Sequence, residues 1–346
     1  MKEIDRSCPI SLSDYPVVSL AHGGGGKRMM ELIEKMFLVS FGGPARGQRH
    51  DSAVLDTSGK KIAFTTDSFV VSPLFFPGGD IGSLAINGTV NDLSMSGAKP
   101  LFLSAAFIIE EGFSMEELWR VVLSMAQAAG NAGVSVVTGD TKVVDKGKGD
   151  GIFINTAGIG VIEHALDICP AGMRDNDVVL VSGDLGRHGA AIMSVRKGLE
   201  FESTIESDCA PLNGIVQKLL DAKIEIHCMR DLTRGGLSSS LVELALESGK
   251  HVQIKEEAVE VREDVRAVCE VLGLDPFFMA NEGRFVLVVP EKQAKPALAI
   301  LQKFEPGARA IGVVKASERG LATLLTPFGA ERIIDLLSGE QLPRIC

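Results

Sequence analysis

The strongest constraint on this chain is an alternation of strand-like and helix-like segments that halts at Cys169-Pro170-Ala171-Gly172 and then restarts. Before the break, residues 61–66 read as a strand running into Asp67, residues 134–138 as a strand ending at Gly139-Asp140, and residues 152–161 as a third. Residues 81–97 place Ile81, Leu84, Ala85, Gly88 and Met95 at helical spacing, and Asp92 falls on that face, four residues after Gly88. Ser114 and Glu117 form a capping-box pattern ahead of Leu118, Val121, Val122 and Met125. After the break, residues 178–182 and 285–289 read as strands and 213–222, 236–248, 262–272 and 295–304 as helices. The pattern predicts an α+β (α/β) chain in two halves, 51–165 and 172–326, and 346 residues suffice for two ordinary domains. Residues 1–50 form a glycine-rich leading segment with a short amphipathic stretch at 29–37. Residues 339–346 are aperiodic and read as an exposed, mobile tail, whose last seven residues span roughly 23 Å when extended.

Composition narrows the function. A net charge of -10 argues against a nucleic-acid or membrane partner, and leaves any bound phosphate to local backbone amides or metal ions. Thirty-eight glycines against 5% aromatics favour tight turns and backbone-lined sites over aromatic pockets. The first fourteen residues carry Lys2, Glu3, Asp5 and Asp14 and lack the apolar stretch of a signal peptide, and no apolar run is long enough to span a membrane, so a cytoplasmic protein is expected. The six cysteines form no CxxC pair, which argues against a zinc site or a disulfide framework. Five read as small buried apolar side chains; the sixth, Cys346, is the last residue.

Four carboxylates, Asp51, Asp67, Asp92 and Asp140, sit at element ends or beside small residues in a half rich in Gly, Thr and Asn. Oxygen ligands of this kind suit Mg²⁺ bridging to phosphates, although any one of them is as readily a turn or cap residue. Asn91, Thr138 and Gly139 flank them and join the candidates for a nucleotide site. His22-Gly23-Gly24-Gly25-Gly26-Lys27 offers successive amides and a point charge to an anion, or else a flexible hinge; it has neither Walker A spacing nor a preceding strand. Arg230-Asp231-Leu232-Thr233-Arg234-Gly235-Gly236 leads into a helix start that can hold phosphate, or is simply capped by Thr233. Lys142 and Glu282 could move protons as a pair if buried together, whereas singly each is more often a solvated charge. Pro343-Arg344-Ile345-Cys346 presents a thiol on a stiffened approach, with Arg344 available to offset the α-carboxylate beside it; a chance terminal residue is the plainer alternative.

With these residues in view, the chain resembles the HypE family of hydrogenase maturation factors, the carbamoyl dehydratases that help make the cyanide ligands of nickel–iron hydrogenase. The matching stretches are 21–27, 51–54, 65–103, 137–144, 151–160, 230–237, 281–284 and 343–346, covering almost the whole chain. The terminal Pro-Arg-Ile-Cys is the specific part; the rest is similar to the wider superfamily of aminoimidazole ribonucleotide synthetase, selenophosphate synthetase and thiamine-monophosphate kinase. The resemblance implies that the N-terminal sheet forms a dimer barrel with nucleotide sites near the subunit interface, under a C-terminal α+β layer. It implies ATP and Mg²⁺ as cofactors, a homodimer, and as partners the carbamoyltransferase HypF and a HypC–HypD complex. It also implies that Cys346 carries the carbamoyl group, with Mg²⁺ on Asp67, Asp92 and Asp140, Lys142 orienting the carbamoyl oxygen or γ-phosphate, and Glu282 taking a proton from nitrogen. Phosphotransfer to a small molecule and a nucleotide-gated thiol carrier are the competing readings.

Overall fold

The computed structural model describes residues 17–41, 49–199, 204–317, 319–337, 339 and 342–346. Cys8, the first sixteen residues and 42–48 of the leading segment, and 340–341 of the tail lie outside the described residues. The described chain opens with α1 (Lys27–Leu32), a π-helical turn over Ile33–Phe37, and α2 (Leu38–Phe41).

The first half comprises β1 (Ala53–Thr57), β2 (Lys60–Phe69), a small hairpin of β3 (Phe75–Phe76) and β4 (Gly79–Asp80), α3 (Ile81–Met95), β5 (Lys99–Glu110), α4 (Met115–Ala132), β6 (Ser135–Val144) and β7 (Ile152–Ile162). Five of these strands form one sheet in the order β1-β2-β7-β5-β6. Only β5 and β6 run parallel, joined by α4, as a parallel pair requires a crossover. Along β2 the burial alternates: Ala63, Thr65 and Phe69 are buried while Phe64, Thr66 and Ser68 are exposed. A two-residue period therefore turns Asp67 toward α3.

α3 is better capped and more deeply buried than its sequence suggests. The Asp80 carboxylate accepts from the amides of Gly82 at 2.7 Å and Ser83 at 3.0 Å, and the Ser83 hydroxyl accepts from the Asp80 amide at 3.0 Å. All of its residues except Ser83 and Asp92 are buried, because β2 and β7 cover one side while α4 and, from the second half, Asn213–Asp221 and Cys228–Asp231 cover the others. The one-sided apolar face read from the sequence is thereby corrected to a helix enclosed nearly all round. Gly88 allows the approach to β2: a Cβ there would lie 2.9 Å from the Phe69 ring.

The second half contains β8 (Val178–Val181), α5 (Arg187–Lys197), α6 (Asn213–Asp221), β9 (Cys228–Asp231), α7 (Gly236–Ser248), β10 (His251–Lys255), α8 (Glu263–Leu272), β11 (Phe285–Val289), α9 (Glu291–Leu301), β12 (Arg309–Lys315), β13 (Leu321–Leu325) and β14 (Glu331–Ile334). Its seven-stranded sheet runs β14-β13-β10-β12-β8-β11-β9. β11 is buried along its whole length: Leu287 and Val289 pack into a cluster with α6 and α9, Val286 and Val288 into the main core. β9, at the sheet edge, lies against α3, so the two halves meet where Asp231 ends its strand.

Several expectations shift. β6 does not stop at Gly139-Asp140 but pairs with β5 as far as Val144, passing through both residues. In α4, Ser114 accepts from the Glu117 amide at 3.4 Å, but Val122 is exposed while Val121 and Met125 are buried. α9 starts at Glu291, four residues early, and tolerates Pro296 inside it. β1, β5, α5, β10, β12, β13 and β14 had no reading in the sequence. Among the described residues no helix is long and apolar enough to cross a membrane.

Candidate active site

β2, α3, β9 and the turn after β9 converge on a cavity of about 300 Å³, lined by Asp51, Asp67, Asp92, Asp231, Arg234, Glu282 and Cys346 among others. Asp51, Asp92 and Asp231 offer oxygens that all lie within 4.8 Å of one another. Thr65 donates to Asp92 at 2.8 Å. Arg230 reaches Asp51 at 2.8 Å and also holds Glu243.

Taking these carboxylates out of water costs the charged form, and each pKa moves accordingly. Burial raises Asp51, Asp92 and Glu282 well above the usual carboxylate range, with neighbouring carboxylates adding to the shift. Burial also raises Asp67, against the pull of Arg234. Asp231 is pushed up to about 6 by burial, with Arg230 opposing and Asp67 reinforcing. Oδ2 of Asp51, Oδ2 of Asp231 and Oε1 of Glu282 are buried without a hydrogen-bond partner. Clustered, orphaned, hard oxygen acceptors of this kind fit a divalent cation.

Cys346, expected to carry the reacting group, lines the same cavity. Residues 342–346, read from sequence as an exposed tail, are folded back, and Ile345 and Cys346 are buried. The Arg234 guanidinium donates to the Cys346 sulfur at 3.4 Å. Burial still pushes the thiol up to about 12, with Arg234 pulling it down and Glu282 and Asp67 pushing it further. Arg344, expected to attend the sulfur, instead donates to the Val70 carbonyl at 3.0 Å and pairs with Asp150. The glycines of the turn make Arg234's placement possible: Gly235 and Gly236 have φ of 78° and 59°, and a Cβ on Gly236 would meet the Met279 carbonyl oxygen at 2.5 Å. No side chain caps α7, so the expected Thr233 cap is replaced by Gly235.

Other expected residues fall elsewhere. In the glycine run, Gly25 lines the cavity, but Lys27 turns outward to Asp335 at 2.5 Å and the His22 ring accepts from the Ser19 amide. Gly23, Gly24 and Gly26 do not line it; Gly26 is the N-cap of α1. Asn91 is a strut: its amide donates to the carbonyls of Ala210 and Glu282, and its oxygen accepts from the Leu212 amide. Arg230 is spent on carboxylates rather than left for phosphate.

Thr138, Gly139, Asp140 and Lys142 lie on β6, at the far edge of the sheet from the cavity. Asp67 is linked through Thr156 and Ala105 to Gly139, three strand spacings or roughly 14 Å away. Asp140 pairs instead with Ala106, so it faces the other side of the sheet, where Lys142 holds it at 2.7 Å. Within one chain, neither Asp140 nor Lys142 joins the acidic cavity, and Lys142 does not pair with Glu282. The sequence reading missed Thr65, Glu243, Arg234 and His50; Arg234 stood in the quoted turn, but nothing local announced its contact with the last residue. His50 is buried, and burial together with Arg230 lowers its ring to about 3.

Residues 49–162 match the family described as AIR synthase related protein, N-terminal domain, and 174–324 the corresponding C-terminal domain. A carbamoyl dehydratase HypE from Azotobacter vinelandii is 50% identical over 331 residues, 95% of this chain and 97% of that protein. The chain belongs to the HypE family. Two solved HypE structures are similar over most of their length. One, in a HypE–HypF complex, has a TM-score of 0.83 at 48% identity, covering 88% of this chain and 99% of that one. The other, a HypE in complex with ATP, has a TM-score of 0.81 at 46% identity, covering 95% and 100%. The two-domain α+β fold is therefore that of the HypE family, and the acidic cavity sits at the junction of its two domains.

Proposed function

We propose that this HypE-family chain is an ATP-dependent carbamoyl dehydratase that acts on its own Cys346 in hydrogenase maturation. The observation that carries the reading is the seating of the last residue's sulfur in the cavity that also holds Asp67, Asp92, Asp231 and Glu282. A carbamoyl group on that sulfur becomes a thiocyanate by losing its oxygen and both nitrogen-bound hydrogens. The oxygen departs with the γ-phosphoryl group as hydrogen phosphate, which keeps one of the two protons, the other goes to Glu282, and ADP is released.

Asp51, Asp92 and Asp231 would hold Mg²⁺, with Asp67 beside them; when bound, the ion neutralises phosphate charge that these carboxylates would otherwise repel. Glu282, whose carboxylate burial makes a stronger base, takes a proton from the nitrogen. Arg234 offers a fixed positive charge at the sulfur end of the group. A second cavity of about 240 Å³, sharing Gly25, Met29 and His50 and lined by Met30, Ile33 and Leu244, suits the apolar base of the nucleotide.

The chain acts as a homodimer, and a second copy brings Asp140 and Lys142 to the site. The outer sheet face that bears them also exposes Phe64, Phe102, Ile108 and Ile159, an apolar surface of the kind that marks an interface. HypF loads the tail and a HypC–HypD complex receives the cyano group, which requires Cys346 to leave the cavity between steps. Mass measurement of the C-terminal peptide after carbamoyl loading, with and without Mg-ATP, tests the reading. Loss of one water only with ATP is expected. An intact carbamoyl group would leave a thiol carrier, and failure to load would point to small-molecule phosphotransfer.

A further inference from the structure

Cys346 reaches the cavity at the end of a segment whose main-chain carbonyls from Pro343 to Ile345 are each bonded by the body of the protein. On α5, Arg196 donates to the carbonyls of Pro343 and Arg344, the first at 2.6 Å, and its Nε donates to the Ser72 carbonyl. His188, eight residues earlier and on the same side of that helix, meets the Ile345 carbonyl through Nε2 at 2.8 Å. The Val70 amide donates to an oxygen of the Cys346 α-carboxylate at 3.0 Å, and the Ser72 amide to the Arg344 carbonyl at 3.3 Å.

A carbonyl only accepts, so Nε2 of His188 carries the hydrogen and Nδ1 accepts from the Ser207 hydroxyl at 2.8 Å. The Ser207 oxygen in turn accepts from the Cys209 amide at 3.1 Å. Every polar atom of the buried ring is thus committed, and burial favours its neutral form. The contacts are needed to keep the tail in place: Arg344 has a φ of 53°, uncommon for a residue with a side chain, and such a conformation persists only when its surroundings impose it.

We propose that His188 and Arg196 are positioning residues for the dehydration: by gripping the main-chain carbonyls of Pro343, Arg344 and Ile345 they seat the Cys346 sulfur in the acidic cavity, and their release frees the tail. The grip reads the backbone, so it is indifferent to whether the sulfur is free, carbamoylated or cyanated. The inference rests on the dehydratase reading for its consequence, but not for its first readout.

That readout is the rate at which a thiol reagent labels Cys346 in the full-length protein, followed by mass on the C-terminal peptide. His188→Leu and Arg196→Gln are each expected to raise labelling about tenfold, the scale of one lost buried hydrogen bond. Each should slow single-turnover dehydration of the carbamoylated tail by a similar factor, with ATP binding unchanged. His188→Gln, which keeps a donor at comparable reach, should recover most of both; a purely structural role in α5 would not be rescued in this way. If the leucine variant fails to fold, Arg196→Gln, on a half-buried side chain, carries the same measurement. Wild-type labelling and turnover in the variants that fold would overturn the positioning role. Faster labelling in a protein that shows no ATP-dependent mass loss even as wild type would sink the dehydratase reading and leave the grip standing.

Discussion

Arg234, in the turn between β9 and α7, donates to the sulfur of Cys346 at 3.4 Å, joining the middle of the second domain to the last residue of the chain. The pair also explains how a cavity walled by carboxylates accommodates a thiol. Arg234 faces Cys346, which accepts its hydrogen bond, and Asp67 and Glu282, whose carboxylates favour its charge. Without it, Glu282 and Asp67 would act on the thiol unopposed.

Arg234→Gln should therefore act in two ways. The Cys346 thiol, already held at about 12, should become harder still to ionise, because Arg234 lowers it. Single-turnover dehydration should fall about a hundredfold, the usual scale for losing one preorganised charge donor. Alkylation against pH reads the first effect and C-terminal peptide mass the second. Wild-type turnover in this variant would remove Arg234 from the chemistry.

Glu282→Gln keeps the volume and removes the proton acceptor. Dehydration should drop by roughly a hundredfold or more, in line with the loss of a general base, while ATP still binds. Loss of ATP binding in parallel would instead assign Glu282 to the nucleotide.

The acidic cluster makes the metal-free protein sensitive to pH. Asp231 has a folded pKa of about 6 against 3.8 for the ordinary side chain. The folded state thus binds this proton more tightly, and stability increases as pH falls from above 6 toward 4, by on the order of 3 kcal/mol for this group. Denaturant unfolding at pH 7 and pH 4.5 in the presence of a chelator should give a smaller pH difference in Asp231→Asn than in the wild type. Saturating Mg²⁺ should flatten the wild-type gain, because the ion favours the ionised carboxylates. Identical pH differences in both proteins would count against the shift.

Asp140 and Lys142 face away from the cavity within one chain, on the outer side of β6. If a second copy completes the site, Asp140→Asn and Asp92→Asn should each lose Mg-dependent turnover. Mixed dimers of the two variants should then regain up to about half of the wild-type sites, by the arithmetic of shared, isologous interfaces. Mixtures as inactive as either variant alone would show that Asp140 does not complete the site of a second copy.

Much of the frame was legible in the chain itself. The helix at 236–248 and the strand at 285–289 carry patterns that local sequence sets, and both occur as read. Strands β10, β12 and β13 escaped because they have partners far along the chain: β10 pairs with both β12 and β13 across some sixty to seventy residues, whereas β14 pairs only with its neighbour β13. Their short runs are only marginal strands until those partners cover them.

Asp67 and Asp92 were read as neighbours in function, and period-two and period-3.6 geometry brings them together from β2 and α3. The same periodicity, applied to β6, turns Asp140 to the opposite face, which the spacing of the residues alone does not reveal. Lys27 and Arg344 carried the right charge in the right stretches, but Asp335 and Asp150 claimed them.

The sequence by itself determined the two α+β halves, the acidic character of the first and the chemistry available at Cys346, because these depend on residue type and on short-range order. Only the tertiary structure decided that Asp231 rather than Asp140 of the same chain brings its oxygens beside those of Asp51 and Asp92, and that Arg234 rather than Arg344 meets the sulfur. Such pairings join residues more than a hundred positions apart, and the packing of β9 against α3 and the folding back of the tail create contacts that no local pattern encodes.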